Sequence, residues 1–182
     1  IGRHGILVNH AESWSGKGSD IFQTVVKATN LSDEHGCDYT IYDASGLGAG
    51  VRGDSAIINA ERKKEKLKEI RFNAFVGAET PNDPDKPFIT DASGKKITNK
   101  DFFANLKAQS WWLLRKRFQY TYRAIVEGME FDPDEIISLD GTMPDITRLT
   151  SELSQPTYSK TTVGKIIVDK KPDGTMSPNL AD

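Results

Sequence analysis

The sequence has 182 residues, 27% of them charged and 37% apolar, with a formal net charge of −2. That balance fits one globular domain, or a domain with a long insertion, and excludes a bulk polycation: a nucleic-acid surface would need its basic residues segregated onto one face. One cysteine, Cys37, excludes a disulfide framework and argues against a cysteine zinc site, and no apolar run reaches the roughly 20 residues of a membrane span.

His4 to Trp14, HGILVNHAESW, is apolar and partly alternating, which predicts a strand. Ser15 to Gly18 is a turn. Ser19 or Asp20 then caps a helix striped by Ile21, Val25, Ala28 and Leu31 and closed by His35-Gly36. Cys37 to Asp43 is a β-branched and aromatic run, read as a buried strand, and a glycine-rich turn follows it. The next helix holds Ala56, Ile57, Ile58 and Ala60 and turns basic at Arg62 to Lys64; Ile70 to Val76 is another strand. Gly77 to Thr98, with three prolines and many charges, reads as a flexible insertion with a small hairpin. Asn99 to Glu127 is the longest predicted helix, stopped by Gly128. Asp132-Pro133-Asp134 opens a short segment, and Pro144 to Leu153 is a helix with Asp145 in its first turn. Gly164 to Asp169 is the last strand and Pro172-Asp173-Gly174 a turn. Ser177-Pro178 reads as the cap and first position of a helix cut off at Asp182. Alternating strands and helices favour a layered α/β domain with a mixed sheet. The start at Ile1, without a leader pattern, reads as the interior of a longer chain, and the default compartment is a reducing cytoplasm.

Asp43 ends its strand just before Ser45-Gly46-Leu47-Gly48-Ala49-Gly50. A carboxylate there sits at the mouth of an α/β sheet, and the glycines let another backbone, such as a phosphodiester, come close. The plainer reading, a turn-forming Asp with permissive glycines, stands beside it. The glycines do not match the dinucleotide fingerprint, and no Walker A sequence is present. Asp182, just inside a helix, can face Asp43 so that the two share divalent metal, although alone it is only a terminal residue. In KAQSWWLLRKRFQYTYR the rings read as packing inward. The consecutive Arg115, Lys116 and Arg117 are open between phosphate contact and a solvated face, as is Arg62 to Lys68. The histidines carry little: His4 and His10 are too far apart for one metal, and His35 reads as a helix cap. Cys37 reads as a small buried apolar residue.

Three stretches carry a further signal. The first is Tyr42 to Val51, YDASGLGAGV, with Arg52-Gly53-Asp54 after it. The second is Phe103 to Trp112, FANLKAQSWW, continuing to Leu114-Arg115 and Arg117-Phe118. The third is Glu152 to Tyr158, ELSQPTY, then Gly164-Lys165, Asp169-Lys170 and Ser177 to Asp182, SPNLAD. In this order they resemble the nuclease half of the large terminase subunits of tailed phages. The resemblance implies an RNase H-like mixed β-sheet flanked by helices on both sides. It covers residues 1–182 as a single nuclease domain, a fragment with its first strand missing and a flexible insertion at about 77–98. It also implies a metal-dependent endonuclease that cuts concatemeric viral DNA during packaging.

The family uses three acids. Asp43 matches the second and Asp182 the third; the first has no match, and its strand is expected upstream of Ile1. Together they would hold Mg2+ or Mn2+, two ions in the complete site. Arg52, Lys107, Arg115 and Arg117 would hold the DNA backbone, and Lys165 or Lys170 would steady the scissile phosphate. The implied partners are double-stranded DNA, an ATPase domain on the same polypeptide, a portal protein and a small terminase subunit. The setting is the host bacterial cytoplasm, with no membrane. Rival readings are a docking module that binds portal or small subunit without cutting, a resolvase or integrase-like nuclease of the same fold, and a dinucleotide-binding enzyme.

Overall fold

The computed structural model describes residues 2–9, 12, 14, 21–45, 48, 50–176 and 178. It divides into two compact units, one of residues 13–77 and one of residues 1–12 with 78–182. Helices and strands alternate in the first unit, whereas the second mixes strand hairpins with helices.

In the first unit, helix α1 spans Ile21–Glu34 and buries Val25, Thr29 and Ser32, spaced along one face. Its two buried hydroxyls are satisfied: Thr29 donates to the Val25 carbonyl and Ser32 to that of Ala28, with Ser32 also bonded to Thr40. The helix ends in a Schellman motif. Gly36, at φ +60, donates to Asp33, and Cys37 donates to Ser32, which places His35 at the C-cap. Strand β3, Thr40–Asp43, pairs in parallel with β4, Phe72–Phe75. Parallel neighbours need a crossover, and helix α2, Val51–Lys64, supplies it. The core is small and aliphatic: Val25, Val51 and Ile58, flanked by Ile21, Val26, Tyr42 and Phe72.

Polar contacts complete this unit. Arg62, in a run read as open between phosphate contact and a solvated face, is neither: it is buried. Its guanidinium grips Asp33 through two bonds of 2.7 and 2.8 Å and donates to the Lys68 carbonyl. Asn59 brackets Ile70, accepting from its N–H and donating to its carbonyl. The expectation of a buried strand over 37–43 is corrected: strand begins only at Thr40, Cys37 is half-buried, and Ile41 is 61% exposed. Alternation turns Tyr42 onto the core and Ile41 away from it.

In the second unit the single strand expected over His4 to Trp14 is a hairpin. Strands β1, Gly2–His4, and β2, Leu7–Asn9, pair antiparallel around a turn in which Gly5 takes φ +57. β2 also pairs in parallel with β7, Ser138–Leu139, so this three-stranded sheet is mixed. The segment after residue 77 holds a hairpin of β5, Pro87–Thr90, and β6, Lys96–Thr98. Asn99 ties its approach by donating to the Asn82 and Asp83 carbonyls, and Gln109 bonds both the N–H and the carbonyl of Asn82.

The one long helix expected from Asn99 is two helices, α3, Asn99–Phe102, and α4, Leu106–Val126. Between them Phe103 is extended (φ −104, ψ 141) and bridges Ile166, while Ala104 donates to the Ile166 carbonyl. Asn105 restarts the helix as an N-cap, accepting from the Ala108 N–H. Burying Phe103 completely outweighs helical continuity here.

Two strands were not foreseen: β7, and β8, Thr157–Lys160, which pairs antiparallel with β9, Ile166–Asp169. Helix α5, Ile146–Ser154, lies between them, with Asp145 at its N-cap. β9 alternates, with Ile166 and Val168 inside and Ile167 and Asp169 outside. The core joins Phe103, Ala108, Ile166 and Val168, walled by Phe88, Phe102, Trp111 and Trp112. The rings meet edge-on or tilted at 4.8–5.5 Å, as their quadrupoles favour. The expected turn Ser15 to Gly18, the cap at Ser19 or Asp20, and the helix after Pro178 lie outside the described residues.

Candidate active site

Asp43 closes β3 on the carboxyl-end side of the parallel β3–β4 pair. The ladder runs one residue further, through Ala44 N–H to the Phe75 carbonyl, so the chain stays paired with β4 past Asp43. One carboxylate oxygen accepts the Ser45 N–H at 2.8 Å, an Asx-type turn that aims the side chain. The residue is exposed, and no ion pair holds it among the described residues.

Gly48 shows why the turn is built from glycine. A Cβ on it would lie 1.7 Å from the Asp43 carbonyl oxygen and 2.9 Å from the carbonyl carbon. Any side chain would push the turn off the strand end. The Gly48 N–H donates to Ser45 at 3.2 Å, which curls the chain back over Asp43 before α2 begins at Val51. Arg52, in the first turn of α2, is exposed. Gly46, Leu47 and Ala49 lie outside the described residues.

So does Asp182, the other acid expected in the site; the structure gives no geometry for it. Among the described residues no cluster of three or more His, Cys, Asp or Glu side chains is placed to hold a metal ion. Asp43 is thus the one expected ligand whose setting is visible.

The basic candidates part company. Arg115 is exposed, with its guanidinium carbon 5.2 Å from the centroid of Trp112 and 5.9 Å from that of Tyr158. Arg117 instead reaches inward and donates to the Ile136 carbonyl at 3.3 Å. Lys116, between them, lies over Phe88 and Tyr120. Three consecutive cations therefore serve three surfaces, as their 100° spacing dictates. Lys107 and Lys165 are half-buried. The Thr98 hydroxyl holds the Asp101 carboxyl below the usual range, with Lys100 and Lys165 adding attraction, so Lys165 already has an acidic neighbour. Lys170, next to the end of β9, is half-buried.

No protein-family model matches the chain, and no curated protein does. Solved structures do. The nuclease domain of the large terminase subunit gp2 of bacterial virus Sf6, as a point variant with manganese and beta-thujaplicinol, is 33% identical over 98% of this chain and 76% of its own, with a TM-score of 0.79. The chain belongs to the nuclease domains of phage large terminase subunits. The same Sf6 domain without a substitution is 32% identical with a TM-score of 0.79, and a variant with calcium is 32% identical with a TM-score of 0.80. Each covers 98% of this nuclease domain and 76% of the solved chain.

The Asp43 turn of this terminase nuclease was legible in the sequence. The placement of Arg115 over Trp112 and Tyr158 was not, because Tyr158 lies far beyond α4 in a strand with no apolar alternation, and only the tertiary fold brings them together. Among the described residues, no helix is long and apolar enough to cross a membrane.

Proposed function

We propose that this domain is a metal-dependent endodeoxyribonuclease that cuts concatemeric viral DNA as a genome-packaging motor begins and ends its work, in the cytoplasm of a bacterial host. The observation that carries the reading is 33% identity across 98% of the chain to a large-terminase nuclease domain solved with manganese. In this reading residues 1–182 belong to one RNase H-like domain, a mixed sheet flanked by helices on both sides, with 77–98 as an insertion.

The chemistry of Asp43 fits a hard divalent cation. Its donors are oxygen, the group is exposed, and only one of its two oxygens is engaged by a described residue. Asp43 would hold Mg2+ or Mn2+ with Asp182 and a third acid. When bound, such ions offset the charge that builds on the transferring phosphoryl group and make water acidic enough to attack it. Gly48 keeps the turn low against Asp43, which leaves room for a DNA backbone. Arg52, Lys107 and Arg115 hold that backbone by charge, Lys165 or Lys170 steadies the phosphate to be cut, and Arg117, first counted with them, is turned inward onto the Ile136 carbonyl and drops out of the contact. Such contacts are insensitive to base sequence and weaken steeply with salt. The partners in this reading are double-stranded DNA, an ATPase domain on the same polypeptide, the portal protein and the small terminase subunit.

Plasmid nicking by the full-length subunit with magnesium or manganese, beside a chelator control and Asp43→Ala, tests this. Nicking that stops with chelator and falls to background in Asp43→Ala is expected. Nicking indifferent to both overturns the reading, and a folded protein that never nicks moves the domain to a docking role.

A further inference from the structure

The second unit has a cleft of about 490 Å³ that includes Arg115. Its walls come from α4, α5, β8 and β9. Trp111, Trp112, Phe118 and Tyr158 supply rings, Leu153 and Val168 supply aliphatic surface, and Arg115 supplies charge. We infer that this cleft takes an unpaired nucleotide of the DNA, with the base against the exposed ring of Tyr158 and the phosphate on Arg115. The inference rests on the DNA-cutting reading and deepens it by naming the form of DNA that the surface around Arg115 takes.

Four observations meet here. The volume falls in the range of small-ligand sites, large enough for one nucleotide and too small for a duplex. Tyr158 is 54% exposed, yet it is braced edge-on by Trp112 at 5.1 Å and 82°, so its ring is presented to an incoming flat group without being free to collapse. Arg115 lies over both rings and has no carboxylate partner among the described residues, so the cleft is apolar with one uncompensated positive charge. Thr150, Ser154 and Thr157 also line it; the Thr150 and Ser154 hydroxyls donate to backbone carbonyls, which leaves their oxygens to accept from a base amino group or a sugar hydroxyl.

A paired base has both faces covered by its neighbours and cannot enter such a cleft; an unpaired one exposes a face, and stacking on an aromatic ring tolerates any base. An apolar side chain would fill the cleft equally well but would leave Arg115 without an anion. A nucleotide satisfies both features because its ring and its charge are joined.

Fluorescence anisotropy of two labelled DNAs, with divalent metal chelated so that nothing is cut, tests the inference on the full-length subunit. One is a blunt duplex, the other the same duplex with a short tail of unpaired thymidines. The tailed DNA is expected to bind about fivefold to tenfold more tightly, the equivalent of one stacked base. Tyr158→Ala should erase that difference and Tyr158→Phe should keep it, each with a melting temperature near that of the parent. Equal binding of the two DNAs by the parent chain, or a tail preference untouched in Tyr158→Ala, overturns the inference, leaves the DNA-cutting reading standing and gives the cleft to an apolar side chain of a protein partner. Binding of neither DNA at low salt overturns both together.

Discussion

Around Phe103 the chain is held by rings, whereas around Val25 it is held by small aliphatic side chains and directed polar bonds. The first region encloses Phe103 and Ala108 completely and surrounds them with Phe88, Phe102 and Trp112. The second buries three aliphatic residues and relies on Arg62 and Asn59 to fasten α2 to the segments around it. Dispersion and area decide the first; bond geometry decides the second. A ring cluster tolerates small shifts, since its contacts are many and individually weak. The Asp33–Arg62 grip and the Gly48 turn do not, because a few tenths of an ångström break them. The candidate metal ligand belongs to the region where position is set most sharply.

The largest loss should come from the ring cluster. Phe103→Ala removes a side chain with no exposure and leaves a cavity where α3, α4 and β9 meet, at a cost of about 3–5 kcal/mol in urea unfolding. If that cost falls below about 1 kcal/mol, the ring cluster is not what holds the second unit.

Gly48→Ala should separate function from stability in the first unit. The new methyl cannot share space with the Asp43 carbonyl, so the turn must move by about 1 Å or more, which lowers nicking about 100-fold. Parental nicking by this variant would show that the turn's closeness to Asp43 is dispensable.

Arg62→Ala removes three bonds at once and should cost about 2 kcal/mol. Its pH dependence sharpens the point. The Arg62 hydrogen bond holds the Asp33 carboxyl below its usual range, despite some desolvation. A lowered folded pKa contributes stability above the unfolded value of about 3.9, and that contribution disappears as pH falls through the folded value. The gap between parent and variant should therefore narrow below about pH 4 in thermal melts, and only modestly, because the Asp33 side chain is 49% exposed.

The smallest effect is a gain. α2 ends like α1, with Lys66 donating to Lys63 and Leu67 to Arg62, but Lys66 occupies the left-handed position that glycine fills at Gly36. Lys66→Gly should raise stability by about 0.5–1 kcal/mol, read as a higher urea midpoint. A lower midpoint would mean that the Lys66 side chain contributes more than its backbone strain costs.

What the sequence made legible was local. An apolar stripe with a following glycine gave α1, and a β-branched run ending in Asp before glycines placed Asp43 at a strand end. The misses share one cause, tertiary pairing that overrides a local pattern. Asn99 to Glu127 carries an unbroken helical pattern, and only the Asn105 cap hints at the break that Phe103's pairing with Ile166 imposes. β8 is exposed at all four positions, so it has no hydrophobic alternation to read. Gly5 inside an apolar run was the overlooked sign of the β1–β2 turn. The site was legible only as far as Asp43 and its glycines. The proposed acids, Asp43 and Asp182, lie at opposite ends of the sequence, so spacing alone could not reveal them as a set.

The bridge between Phe103 and Ile166 also sets a schedule for the newborn chain. The ribosome makes the rings at positions 88 to 112 long before it makes β9, and Phe103 has no partner strand until Ile166 emerges. For that interval the aromatic cluster is an open apolar surface, closed only by a contact distant in sequence and slow to form. Translation stalled before residue 166 should leave that surface to chaperones, whereas α1, β3, α2 and β4 complete their own pairing by residue 77 and can fold while the rest is still being synthesised.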